Sequence, residues 1–293
     1  MPVTYNPRMR KTLMVLLASL FVCATAFAQV ADGDQHWAAR GEGHSGGHAK
    51  ADHVNAALVA YGNAVKANPN DLDARWKLLR AYRFKGAYTT STVDEKKAVY
   101  NDAKKAGEGA LAVLDQQLRA KGVTSVTKAT EKQVADAARQ IPGAGEIFLW
   151  DAINWGEWAL AYGKMAAVRE GAADRIRREA TIADLIDPKM EGGSPGRVLG
   201  RLHDQTPRVP FITGWASSKE AVKYLAESYK IDPSNKITGV FYAEAMVDND
   251  SDTKPAAIKV LEQIIAAPNN PEFEVEQAAA TEDAKALLKD FKK

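Results

Sequence analysis

The chain has 293 residues, with 39 Lys and Arg, 37 Asp and Glu, five His and one Cys. A formal net charge of +2 gives no electrostatic footprint for nucleic acid or for an anionic membrane surface. One cysteine cannot form a disulfide framework within the chain, whose length is ample for a large core or a stack of repeats.

Residues 1–28 predict an export signal. A basic stretch with Arg8, Arg10 and Lys11 precedes an apolar run over 12–24, and Ala26-Phe27-Ala28 forms a small-residue cleavage site before Gln29. A retained membrane anchor is the alternative, but the run is shorter than the roughly 20 residues a span requires. A lipoprotein would use Cys23, which follows Val22 rather than Gly, Ala or Ser.

Cleavage near Ala28 predicts a periplasmic or secreted protein. It removes three of the 39 basic residues and no acidic one, which leaves 36 against 37 and a net charge of −1. It also removes the cysteine, so the mature chain carries no thiol chemistry.

Residues 29–52 are rich in Gly, Ala and Asp, and they hold His36, His44 and His48 next to His53. We expect a flexible leader, because the segment has few bulky apolar residues with which to fold. A metal-capturing tail is the alternative, since imidazole is a common metal ligand. No cysteine or ordered carboxylate set accompanies the histidines, and we therefore predict no metal site.

Residues 53–293 show helical periodicity broken by prolines and helix caps. Thr92 with Glu95 and Thr130 with Gln133 have capping-box spacing, and Ser217 with Glu220 marks a further start. The predicted helices span about 53–68, 71–85, 93–119, a short segment between 130 and 141, 146–164, 169–187, a segment opening near 192–197, a segment within 215–235, 236–248, 254–266 and 274–291.

Three segments share one spacing of small and bulky apolar residues followed by a proline. The three sets are Ala57, Tyr61, Ala64 and Pro69; Ile176, Ala180, Ala183 and Pro188; and Ala221, Leu225, Ser228 and Pro233. Residues at i, i+4 and i+7 lie on one helix face, and proline ends the helix. The pattern resembles the tetratricopeptide (TPR) repeat. It implies an all-α fold, a TPR-like α-solenoid of stacked helical hairpins with a terminal capping helix.

The order of motifs is similar to a narrower family, the periplasmic T component associated with tripartite ATP-independent (TRAP) transporters. The matching features are Arg80-Ala81-Tyr82, Trp155-Gly156, Gly192-Gly193 leading to Arg197-Val198-Leu199-Gly200, the 207–210 loop and the 221–233 helix. The resemblance implies a ring-forming protein whose groove cooperates with a periplasmic solute-binding protein. The corresponding expectations are a protein partner and self-association into a homo-oligomer.

The stretch Gly192 to Arg197 has a second interpretation, a phosphate-binding nest at a helix start assisted by Arg197. No strand precedes it and no Lys-Ser/Thr pair ends it, so neither nucleotide fingerprint is met. We therefore expect these glycines to form a close-packed turn.

The helix over 146–164 carries an excess of aromatic residues: Trp150, Trp155, Trp158 and Tyr162. At 100° per residue these side chains cover a broad face. One interpretation is an aromatic-lined groove that takes a small apolar ligand or a partner, with Trp76 and Arg80 as companions from the neighbouring repeat. The other is that the aromatic rings form the core between repeats.

Three function classes follow. The first is an exported, non-catalytic binding scaffold that needs no cofactor and binds no nucleic acid. The second is a hydrolase using Glu146, Asp151 and Glu157, although on one helix Asp151 faces about 140° from Glu146 and about 120° from Glu157. The third is metal handling by the leader histidines. We predict the scaffold, with no catalytic residues.

Overall fold

The computed structural model describes residues 27–293, so all but the last two residues of the export signal predicted over 1–28 lie outside the described residues. This part of the chain is all-α, as predicted, with thirteen α-helices and no strand beyond an isolated bridge between Ser45 and His48. None of the helices in the described range combines the length and the apolar character needed to cross a bilayer.

The helices follow the chain in this order: α1 (27–38), α2 (Ala51–Ala67), α3 (Leu72–Tyr88), α4 (Val93–Ala120), α5 (Glu131–Ala138), α6 (Ala144–Tyr162), α7 (Lys164–Arg169), α8 (Ala172–Ile186), α9 (Met190–Gln205), α10 (Ser218–Ile231), α11 (Lys236–Asn249), α12 (Lys254–Ala266) and α13 (Glu274–Phe291).

Helix starts are set by the caps that the sequence indicates. Thr92 accepts the N–H of Glu95 and the Glu95 carboxylate accepts the N–H of Thr92, at 3.2 and 3.0 Å. Thr130 and Gln133 form the second predicted capping box, and Ser217 caps α10 through the N–H of Glu220. Such caps satisfy N–H groups that the first helical turn leaves without partners.

The helices form two layers, which are defined by the pairs of helices in contact. Helices α3, α6, α9, α11 and α13 contact one another in that order, and we call this series the inner layer. Helices α4, α8, α10 and α12 each pack between two successive members, while α2 packs on α3. Buried Ala57, Ala180 and Ala221 allow the close approach of these helices. A TPR-like solenoid stays a prediction.

The prediction of a flexible leader over 29–52 differs from the structure, in which this segment is folded. Trp37 at the end of α1 packs edge-on against Phe84 of α3, with ring centroids 5.6 Å apart. Arg40 is only 4% exposed and binds the Glu276 carboxylate of α13 at 2.8 Å. Gly47 lies so close to α13 that a Cβ would stand 2.6 Å from the Ala279 Cα.

The glycines that suggested flexibility therefore permit close backbone approach. The segment also joins α13 to the first hairpin, because Val275 of α13 lies in one cluster with Val54, Tyr61 and Tyr88. The helical array thus closes on itself at this junction, and the last helix does more than cap an open end.

Helix α9 contains a sharp turn near its start. Glu191, Gly192 and Gly193 have φ values of 47°, 65° and 80°, a left-handed conformation that favours glycine. Ser228 of α10 donates a hydrogen bond to the Gly193 carbonyl at 2.8 Å. The close-packed turn predicted for these glycines is confirmed, and it directs the following helical segment with Arg197 into the inner layer.

Candidate functional site

The six predicted site residues do not form one site. Trp155 and Trp158 are 3% and 5% exposed, and they pack on each other with ring centroids 5.6 Å apart. Tyr162 stacks on Trp158 at 4.5 Å, and the Trp158 indole donates to Asn101 Oδ1 at 3.0 Å. Helices α3, α4, α8 and α9 surround α6. The groove interpretation is therefore wrong for Trp155 and Trp158, which form core.

A buried ionic group lies beside this aromatic core. Arg175 binds Asp151 at 2.8 Å and Glu179 at 3.0 Å, and its guanidinium lies 4.5 Å from the Trp155 ring centroid. We call Asp151, Arg175 and Glu179 the ionic core cluster. Burial raises the pKa of Asp151, and burial together with the Asp151 charge raises the pKa of Glu179 well above its ordinary value. Because one guanidinium faces two buried carboxyl groups, this arrangement favours a proton shared between Asp151 and Glu179.

The three acids considered for a hydrolase lie apart, and two of them bind different arginines. Asp151 belongs to the ionic core cluster and is fully buried, whereas Glu157 pairs with Arg83 of α3 at 3.4 Å. Glu146 lies about three turns from Glu157 on the same helix. The structure does not bring the three acids to one substrate-sized opening.

Arg80 and Trp76, by contrast, are partly exposed and contact each other. The Arg80 guanidinium lies between two indoles, 4.1 Å from the Trp37 ring centroid and 4.7 Å from that of Trp76. Its Nε–H is buried and has no hydrogen-bond acceptor. Desolvation lowers the pKa of Arg80, while the charge of Glu191 and interaction with the Tyr61 hydroxyl, including a hydrogen bond, oppose that effect.

Trp150 lies on the part of α6 that faces α3. Gly143, just before α6, is in contact range of the Trp76 ring, and Asn154 donates to the Leu79 carbonyl of α3 at 3.0 Å. Trp150 stands between these two contacts along the helix. It is partly buried against the same cluster as Trp76, and its Nε1–H has no acceptor. It is the α6 tryptophan for which the groove interpretation stays a prediction.

Two further arginines of the inner layer accompany Arg80. Arg83 follows one turn later on α3 and donates to the Tyr88 hydroxyl at 2.7 Å. Arg197 of α9 donates to Thr238 Oγ1 at 2.9 Å and to Ser194 Oγ at 2.7 Å, two neutral acceptors. We call Arg80, Arg83 and Arg197, with Trp37 and Trp76, the arginine surface.

Two of these arginines have lowered pKa values. Desolvation and the Arg83 charge lower the pKa of Arg197 to about 10, against the raising effect of Glu191. Glu191 also acts on the pKa of Arg80, so one exposed carboxylate lies within electrostatic reach of both guanidiniums. Arg80 lies on α3 and Arg197 on α9, and α6 packs against both of these helices.

Two side-chain groups of the described chain contain residue types that can hold a metal ion, and members of both have partners within the protein. Asp204, Glu244 and Asp248 offer carboxylate oxygens within 4.8 Å of one another, but Arg201 already binds Asp204 at 3.0 Å and Glu244 at 2.7 Å. His36 and His53 face each other with their Nδ1 atoms 3.2 Å apart. His44 bonds the Gly46 carbonyl, so the leader histidines do not converge on one point.

The sequence identified Trp76, Arg80 and Trp150 but missed Trp37, Arg83 and most of the role of Arg197. The sequence gives no signal for Trp37, because the composition of residues 29–52 predicts a flexible leader. Arg83 carried a usable signal, since it lies three residues after Arg80 and therefore on the same helix face. No protein-family model matches this chain, and no curated protein sequence matches it.

Proposed function

We propose that the protein is an exported, non-catalytic binding scaffold whose arginine surface holds a small ligand with an apolar part, or a segment of a protein partner. The observation that carries the proposal is Arg80, held between Trp37 and Trp76 with a buried N–H that has no acceptor. A guanidinium held against aromatic rings, with no acidic partner in the described chain, suits the recognition of a ligand group.

The surrounding chemistry suits binding better than catalysis. Binding sites combine aromatic walls with a few polar groups that fix orientation. Trp37 and Trp76 provide the aromatic walls here, and Trp150 adds an indole N–H without an acceptor. His203, the one histidine far from the N-terminal segment, packs against Trp215 and Tyr224 rather than beside a serine. No nucleophile and base meet at this surface among the described residues.

A place beside a TRAP-type solute-uptake system is the specific form of this proposal. It rests on the motif order that resembles the T component, and the expected partner is a periplasmic solute-binding protein. Self-association into a homo-oligomer belongs to the same proposal.

The test is native mass spectrometry of the protein purified from the cells that make it. We expect the wild-type protein to carry a bound molecule or partner, and we expect Trp76→Ala to lose it. Trp215→Ala is the matched control, because Trp215 contacts Asp174 and Arg177 away from the arginine surface. A wild-type protein that carries nothing, or equal loss in both variants, contradicts the proposal.

A further inference from the structure

We propose that His36 and His53 together bind a divalent transition-metal ion, with zinc the best match, and that Glu42 orients His53 as a ligand. The site contains none of the residues of the arginine surface and does not depend on the proposed function. The composition of residues 29–52 predicts no metal site, because a flexible leader holds no fixed geometry. The structure folds this segment, and the two imidazoles meet from separate helices, α1 and α2.

The distance between the two imidazoles matches that of two ligands on one ion. The Nδ1 atoms of His36 and His53 lie 3.2 Å apart, and the ring centroids are 5.4 Å apart. Two nitrogens that bind one tetrahedral zinc ion at about 2.0–2.1 Å are separated by about 3.3 Å. The observed spacing of the two Nδ1 atoms is therefore close to that of neighbouring zinc ligands.

Glu42 favours the form of His53 that can bind a metal through Nδ1. A Glu42 carboxylate oxygen lies 3.4 Å from Nε2 of His53. The carboxylate favours a proton on Nε2, and in a neutral imidazole this leaves a lone pair on Nδ1, the atom that faces His36. Metal-binding histidines are oriented in this way, by an acceptor at the ring nitrogen that does not bind the ion. Glu42 is thus a positioning residue.

A hydrogen bond between the two imidazoles is the alternative account of their contact. One Nδ1–H can donate to the other Nδ1, and 3.2 Å is at the long end of ordinary N–H hydrogen bonds. That bond places a single proton between the two nitrogens. A metal ion displaces such a proton when it binds, because imidazole ligands must be neutral. The two accounts therefore differ in whether added zinc binds to this pair.

The exposure of the pair and its ligand type favour a borderline-soft ion from solvent. The side chains of His53 and Glu42 are 35% and 72% exposed, so an ion can reach the pair. Imidazole suits zinc, copper and nickel, whereas magnesium and calcium prefer oxygen ligands. Two imidazoles leave two positions of a tetrahedral zinc ion to water. We therefore expect weaker binding than at structural zinc sites, which have four protein ligands.

A bound ion would join α1 to the start of α2. His36 precedes Trp37, which packs against Phe84 of α3, so the same helix carries the metal ligand and this contact. In the unfolded chain the two histidines are 17 positions apart and are not held together. Because the ion then binds the folded chain more tightly, zinc should raise the stability of the protein.

The test is calorimetric titration of the purified, metal-free protein with zinc chloride. The variants are His36→Gln, His53→Gln and Glu42→Gln. The matched control is His44→Gln, because the His44 ring binds the Gly46 carbonyl instead of another histidine. We expect one zinc ion per chain in the wild type and the control. The affinity should fall about tenfold or more in each variant of the histidine pair, and about tenfold in Glu42→Gln.

Thermal unfolding of the same proteins, with EDTA and with zinc, separates metal binding from a folding defect. Zinc should raise the melting temperature of the wild type and of His44→Gln, but not of His36→Gln or His53→Gln. With EDTA, all four proteins should melt at similar temperatures.

The other outcomes overturn the inference. A wild type that binds no zinc, or an equal loss of affinity in His44→Gln, removes the site. Unchanged affinity in His36→Gln or in His53→Gln shows binding to a single surface imidazole. A metal-free His36→Gln that melts far below the wild type, when zinc leaves the wild type unchanged, assigns the pair to a structural hydrogen bond. Unchanged affinity in Glu42→Gln overturns the role given to Glu42.

Discussion

The ionic core cluster and the arginine surface use the same side chain in opposite surroundings. Arg175 lies over an indole and binds two buried carboxyl groups, Asp151 and Glu179. Arg80 also lies against indoles, but it binds no carboxylate of the described chain and keeps a buried N–H without an acceptor. The aromatic contact is common to both sites, and the carboxylates distinguish them.

We propose that this difference separates an arginine that serves stability from one that serves binding. A charge buried with its partners becomes part of the core, and removal of one member leaves the others uncompensated. A guanidinium that binds no carboxylate has less of this compensation to lose. Substitutions at the two sites should therefore differ in size, and the following predictions compare them.

The largest effect is expected for Arg175→Gln. It leaves the buried Asp151 and Glu179 without a cation, and the free energy of unfolding should fall by about 3–5 kcal/mol. Denaturant unfolding measures it, with Arg177→Gln as the control, because Arg177 pairs with the exposed Asp174 at 3.5 Å. Similar losses in the two variants would show that the cluster contributes no more than a surface pair.

A second prediction approaches the same cluster from α4. A Cβ at Gly107 would collide with Asp151 Oδ1, so Gly107→Ala should displace this carboxylate and cost about 1–3 kcal/mol. Gly109→Ala, two residues further on the same helix, meets only the Arg75 guanidinium at 3.3 Å and should gain up to about 1 kcal/mol in helix propensity. Equal melting temperatures for the two variants would contradict the placement of Asp151.

The third prediction concerns pH. Burial and the Asp151 charge raise the pKa of Glu179 in the folded state above its ordinary value of 4.5, so the folded state holds this proton more tightly than the unfolded chain does. The resulting stabilisation is complete below pH 4.5 and is lost as pH rises through the folded pKa. Glu179→Gln should remove up to about 1.4 kcal/mol per pH unit of this slope. Parallel stability–pH curves for the wild type and the variant would disprove it.

The smallest effect is expected for Arg80→Gln. Since Arg80 has no carboxylate partner, the loss of its charge should change the free energy of unfolding by about 1 kcal/mol or less, mainly from the indole contacts. Denaturant unfolding without added ligand measures this change. A loss as large as that of Arg175→Gln would make Arg80 a structural residue and would remove the contrast between the two sites.

The N-terminal segment shows where sequence reasoning reached its limit. Apolar periodicity, capping boxes and proline stops over 53–293 predicted the helices nearly at their observed bounds, because caps and periodicity act over a few residues. The same rules assigned 29–52 to a flexible leader, since Gly and His suggest no helix face. Contacts with Phe84 and α13, more than 40 residues away, order this segment.

For the candidate site, too, some features follow from the sequence and others only from the tertiary structure. The sequence by itself determined the all-α class, most helix boundaries over 53–293, and the presence of Trp76, Arg80 and Trp150 on helices. Only the tertiary structure decided that helix α1 forms, that Trp155 and Trp158 are core, and that Trp37 lies against Arg80. Helical caps depend on residues three or four positions apart, whereas the pairing of a charge depends on which distant helix lies beside it.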